Sequence, residues 1–104
     1  MTPRRQSRAP GTAPPPEAEL HLRGLTVARA RLRLRAFLTE CRRQRLRRIK
    51  VVHGKGIGSP DGVSVVRAAV RRDLEVELAA GRIRDFRLGN IGEGGAGVTI
   101  VWLR

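Results

Sequence analysis

The residues best equipped for chemistry are gathered in two short stretches, Leu20-His21-Leu22-Arg23-Gly24 and Val51-Val52-His53-Gly54-Lys55-Gly56-Ile57-Gly58. In the second, an apolar run ends in three glycines that alternate with a lysine and an isoleucine. Alternate glycines permit positive φ and let a backbone or a phosphate come close. At a helix N-terminus such a turn aims N–H groups and a partial positive charge at an anion. Gly54, Lys55, Gly56 and Gly58 are therefore candidate phosphate-binding residues, and His53 can exchange a proton near neutral pH. The same glycine spacing also suits a plain strand-to-helix turn. If the first stretch lies beside this turn, His21, Arg23, His53 and Lys55 form one group. Two imidazoles then supply a base and an acid, and two cations stabilise charge developing on a phosphoryl group. An RNA 2′-OH would serve such a site as a built-in nucleophile without a metal, whereas DNA would need another activated nucleophile. The nine acidic residues show no cluster in sequence of the kind a two-metal centre requires. With Cys41 the single cysteine, neither an internal disulfide nor a cysteine-based zinc site is expected. No metal ligand is identified and no cofactor is required, although magnesium is compatible with the site.

The elements that must position these residues follow from periodicity. Leu20 to Gly24 alternates apolar and polar residues as a half-buried strand does, with His21 and Arg23 pointing away from the leucines. Thr26 is placed to cap a helix whose buried face is Val27, Ala30, Leu34, Phe37, Leu38 and Cys41. Leu32 fits that face poorly, and Cys41 reads as a buried structural thiol. Ile49 to Val52 is a second strand. Ser59, Asp61 and Ser64 are candidate caps for a second helix with the ladder Val66, Val70, Leu74 and Leu78, stopped by Gly81. Ile83 to Leu88 is a third strand, Gly89 to Gly97 a glycine-rich loop expected to be mobile, and Val98 to Leu103 a closing strand. The expected fold is a small α/β two-layer sandwich, a mixed four-stranded sheet with two helices in the order β-α-β-α-β-β.

Charge narrows the class of partner. The chain of 104 residues carries 22 Lys+Arg against 9 Asp+Glu, a formal net charge of +13, which points to a polyanion such as nucleic acid, with the ribosome or an anionic surface as further candidates. Between Arg29 and Lys50 ten basic residues face one acid, Glu40. Arg31, Arg35, Arg42 and Arg45 are expected on one side of the first helix as a phosphate-tracking, nucleic-acid-binding surface. Charge alone reads no base sequence, and with Phe37, Phe86 and Trp102 the only aromatics a base-stacking platform is disfavoured. Residues 1–18 form a Pro/Arg-rich tail expected to be disordered, since it cannot support a core, and residues 19–104 form the folded domain. No apolar run approaches a membrane span and no secretory signal is visible, so a cytoplasmic location is expected.

Three separated segments carry a resemblance: Leu20-His21-Leu22-Arg23-Gly24 followed by Thr26, then His53-Gly54-Lys55-Gly56 with Gly58, then Gly94-Gly95-Ala96-Gly97-Val98-Thr99 before an apolar strand. In this order they resemble the Smr (small MutS-related) domain from Leu20 to Arg104. The resemblance implies a two-layer fold similar to the C-terminal domain of bacterial translation initiation factor three. It also implies an endonuclease that nicks or cleaves DNA or RNA, with His21, Arg23 and His53 at the positions of the family's catalytic motifs. The first motif departs from the family, which carries Leu-Asp-x-His or Leu-Asp-x-Arg there. His21 stands in place of the aspartate, and the implied alternative is a non-catalytic nucleic-acid or ribosome-binding module.

Overall fold

The structure, a computed structural model, describes residues 15–54 and 65–104. The elements are β1 (Ala18–His21), α1 (Val27–Arg43), β2 (Arg48–Val52), α2 (Val65–Ala79), β3 (Ile83–Leu88) and β4 (Val98–Leu103), with two short 3-10 turns at Ile91–Glu93 and Gly95–Gly97. The expected helix caps Ser59, Asp61 and Ser64, the glycine-turn residues Lys55, Gly56 and Gly58, and residues 1–14 of the tail lie outside the described residues.

The sheet order is β1-β2-β4-β3, with β1 parallel to β2 and β4 antiparallel to both its neighbours. The β1-α1-β2 and β2-α2-β3 crossovers therefore step the same way across the sheet. Crossovers of one hand stepping in one direction put both helices on one face. The core lies in that layer, where Leu34, Leu38, Val70 and Leu74 from the helices meet Ile49, Val51, Ile83 and Val101 from the strands. The mixed sheet with two helices is the architecture expected from the sequence.

Local differences have physical causes. The first strand begins at Ala18 rather than Leu20, because the Glu17 carboxylate accepts hydrogen bonds from the Arg47 and Arg48 amides at 2.6 and 3.0 Å and pins the chain to β2. Ordered pairing thus starts ahead of the expected domain boundary at 19. Thr26 caps α1 as expected, its hydroxyl accepting from the Arg29 amide at 3.2 Å. The helix ends at Arg43, so Arg45 is not on it. Arg45 sits in the left-handed region at φ 61, and the Arg45 and Leu46 amides bond back to the Arg42 and Cys41 carbonyls, a closure usually given to glycine. Gly81, at φ 77, closes α2 in the same way. Leu32 is 64% exposed, and Leu78, expected in the ladder, is 40% exposed, so the buried ladder of α2 ends at Leu74.

The glycine-rich loop is built rather than loose. Asn90 and Glu93 cap each other's amides reciprocally, and the Glu93 carboxylate bridges Arg48 and Arg87, each at 2.7 Å. Both guanidinium groups lie over the Trp102 ring, at 5.6 and 5.3 Å from its centre. This cluster covers the sheet face opposite the helices, and it places Arg48, only 6% exposed, in a site where a cation gains from an aromatic face.

Candidate functional site

The parallel ladder leaves β1 with the Leu22 amide bonded to the Val52 carbonyl at 2.8 Å. That bond sets the turn Arg23-Gly24 beside the end of β2. Gly54 takes φ +89, and a Cβ there would meet the Arg23 Cγ at 3.6 Å, so the arginine side chain lies against the bare backbone of the glycine turn. On the other side, the amides of His53 and Gly54 both donate to the Gly97 carbonyl, at 3.1 and 2.9 Å. Three segments far apart in sequence therefore converge at one end of the sheet.

His53 is 3% exposed. Its Nδ1 lies 2.9 Å from the Gly54 carbonyl and its Nε2 2.8 Å from the Thr99 hydroxyl. A carbonyl can only accept, so Nδ1 carries the hydrogen, and in the neutral ring Nε2 accepts from Thr99. Burial holds the imidazole pKa below its ordinary 6.5, and the Arg67 charge acts in the same direction against the Gly54 carbonyl. The result is a neutral base of fixed tautomer.

His21 is placed elsewhere. It pairs with Val52 on the sheet face shared by Glu19 and Lys50, and its ring lies 3.2 Å from the Glu19 carboxylate. His53 bonds to Thr99, whose partner Val51 belongs to the helix-side core. Because strand residues alternate between faces, the two histidines project to opposite sides of the sheet and do not form the expected imidazole pair. Arg23 and His53 are brought together at the turn.

The arginines expected on α1 are only partly available. Arg31 is held by Asp73 of α2 through two hydrogen bonds of 3.0 and 3.1 Å. Arg35 and Arg42 line the same interhelical groove as this pair, while Arg45 lies past the helix end. Sequence reasoning missed Thr99, which stands in the third motif segment but was not read as chemistry. It also missed the face of α2 bearing Arg67, Arg71 and Arg72, which with Arg87 and Thr99 line a cleft of about 720 Å³ against β3. The signal was the spacing of these arginines between the buried positions Val66, Val70 and Leu74. Among the described residues no group of three His, Cys, Asp or Glu side chains could hold a metal ion, and no helix is long and apolar enough to cross a membrane.

The family described as Smr domain matches residues 20–104. Endonuclease MutS2 of Pelotomaculum thermopropionicum is 42% identical over 85 residues, covering 82% of this chain and 10% of that protein. Endonuclease MutS2 of Thermus thermophilus is 43% identical over 86 residues, covering 83% and 10%. This chain thus spans about 10% of the length of these relatives. Among solved structures, the Smr domain of Thermus thermophilus MutS2 superposes with a TM-score of 0.70 at 40% identity, covering 84% of this chain and 98% of that one. YdaL, a stand-alone small MutS-related protein from Escherichia coli, gives 0.73 at 25% identity, covering 96% and 70%.

Proposed function

The chain belongs to the Smr domain family, and on that premise we propose that it is a nucleic-acid-binding endonuclease module acting on a phosphodiester held where its three motif segments meet. The observation that carries this reading is the convergence of Arg23 on Gly54 and of the Gly97 carbonyl on the His53 and Gly54 amides. The relatives named as endonucleases support it. In this reading Arg23 holds a phosphate oxygen beside the glycine turn, and Lys55, Gly56 and Gly58 supply the rest of the cradle. His53 is the proton acceptor, reached through Thr99. As the attacking water or ribose 2′-OH bonds to phosphorus, its proton passes to the Thr99 oxygen, the Thr99 proton passes to His53 Nε2, and the departing oxygen takes a proton from solvent. His21, on the opposite face, stands outside this relay. Arg35 and Arg42, with Arg31 and Arg45, add to the positive field that draws a polyanion to the domain.

A second reading, binding without cleavage, is favoured by one observation. The residue at the family's aspartate position is His21, exposed and hydrogen-bonded to Glu19 rather than aimed at His53. The two readings separate in an assay of purified protein on labelled structured RNA, single-stranded DNA and supercoiled plasmid, with magnesium and with EDTA. Cleavage that His53→Ala removes, with binding kept within a few fold, supports the endonuclease. Binding to every substrate with cleavage of none leaves the binding module, and the absence of binding overturns both.

A further inference from the structure

The cleft between α2 and β3 has the composition of a strand-binding groove. One wall is a single face of α2, where Ala68, Arg71, Arg72 and Glu75 recur at helical spacing. The opposite wall is Phe86, Arg87 and Leu88 of edge strand β3. Its basic lining is Arg67, Arg71 and Arg72 against the single acid Glu75, since the Arg87 guanidinium is turned to the other face of the sheet, onto Glu93 and Trp102. Arg71 is 75% exposed and reaches Glu75 only at 3.4 Å, a surface pair of little strength. The Arg72 side chain makes no hydrogen bond or ion pair among the described residues. Leu88 is 48% exposed beside these cations, a combination that suits neither a solvated helix face nor a closed core. Thr99 lines the cleft and bonds to His53 at 2.8 Å, so the groove leads to the proton acceptor. The interhelical groove, by comparison, carries Arg31, Arg35, Arg42 and Arg82 but ties Arg31 to Asp73 and Arg82 to Glu77.

We propose that the α2/β3 cleft holds a single-stranded segment of nucleic acid, with phosphates on Arg71 and Arg72 and one unpaired base against Phe86 and Leu88. This rests on the nucleic-acid reading above and adds the path and the strandedness. A duplex keeps its bases stacked inside and offers the apolar wall nothing to cover, whereas a single strand presents phosphate and an exposed base face together.

The test is fluorescence anisotropy of the full chain with a labelled 15-nucleotide single strand and with the same sequence as duplex, over a salt series. The pair R71Q/R72Q is compared with R35Q/R42Q, which removes equal charge. The expected result is that R71Q/R72Q weakens single-strand binding about ten-fold and flattens the salt slope by about 0.7 for each phosphate no longer neutralised, while R35Q/R42Q costs several-fold less. Leu88→Ala, at an exposed position, should weaken the single strand by several fold and leave the duplex within two-fold, with thermal melts confirming that each variant folds. Equal weakening by the two arginine pairs overturns the cleft as the path, as does a Leu88→Ala protein that binds the single strand normally. Both outcomes leave the nucleic-acid reading standing. A wild-type chain that binds neither substrate overturns that reading as well.

Discussion

His53 and Thr99 form a unit whose behaviour follows from burial. The unfolded chain protonates this histidine near 6.5, whereas the folded chain resists, because the charged ring would lose water and face Arg67. The unfolded state therefore binds more protons as pH falls through and below 6.5, and the folded state loses stability there. The midpoint of thermal unfolding should be flat above about pH 7 and fall below about 6.5, and His53→Gln should blunt that part of the fall. Thr99→Val leaves Nε2 buried without its donor, at a cost of about 1–2 kcal/mol, while Thr99→Ser retains the hydroxyl and most of the stability. If Thr99 is the relay to His53, Thr99→Val should also lower cleavage at least about ten-fold with binding unchanged, and the serine variant should recover most of it. Cys41 has no such part, since burial raises its thiol pKa to about 11.

Two elements carry strain or charge that can be tested separately. The Gly89–Gly97 loop depends on Glu93, whose carboxyl is held from its ordinary 4.5 down to about 2, chiefly by the Arg87 guanidinium, with the Asn90 amide and Arg48 adding to it. A depressed carboxyl contributes stability that is present above its unfolded pKa and lost as pH falls through the folded one. Acid unfolding should therefore deepen between about pH 4.5 and 2, and Glu93→Gln should remove much of that acid limb at the expense of stability at neutral pH. Gly94 sits at φ +117 with the place of a Cβ only 2.9 Å from a Val98 methyl, so Gly94→Ala should cost more than the roughly 1 kcal/mol of the backbone conformation alone. The end of α1 offers the reverse case. Arg45 occupies a left-handed position that glycine takes freely, so Arg45→Gly should stabilise the domain by about 0.5–1 kcal/mol, read as a rise of a few degrees in midpoint.

At the scale of the whole molecule, a chain of formal charge +13 should bind any polyanion with strong salt dependence, and log K should fall linearly with log salt. Sheet pairing begins at Glu17, whose amide bonds to the Arg48 carbonyl at 2.8 Å. Removing residues 1–14 leaves that pairing and the whole helix-side core in place, so the thermal midpoint should stay within a few degrees. A large drop would show that the tail packs on the domain.

What the sequence by itself determined was local and periodic. The apolar ladders of two helices, the caps and stops at Thr26 and Gly81, the closing strand Val98–Leu103 and the order of elements are fixed by residues within a few positions of each other, and they set the fold class. The motif segments and the buried thiol at Cys41 were legible in the same way. Only the tertiary structure decided which groups face each other. The pairing of β1 with β2 turned His21 away from His53, because alternation sends neighbouring strand positions to opposite faces. The pairing of β2 with β4 carried the Thr99 hydroxyl to His53 Nε2 across 46 residues of sequence. Packing of α2 on the sheet tied Arg31 to Asp73 and set the α2 arginines along a cleft with Leu88. These interactions join segments far apart in the chain and are set by sheet register and helix packing, so no local periodicity encodes them.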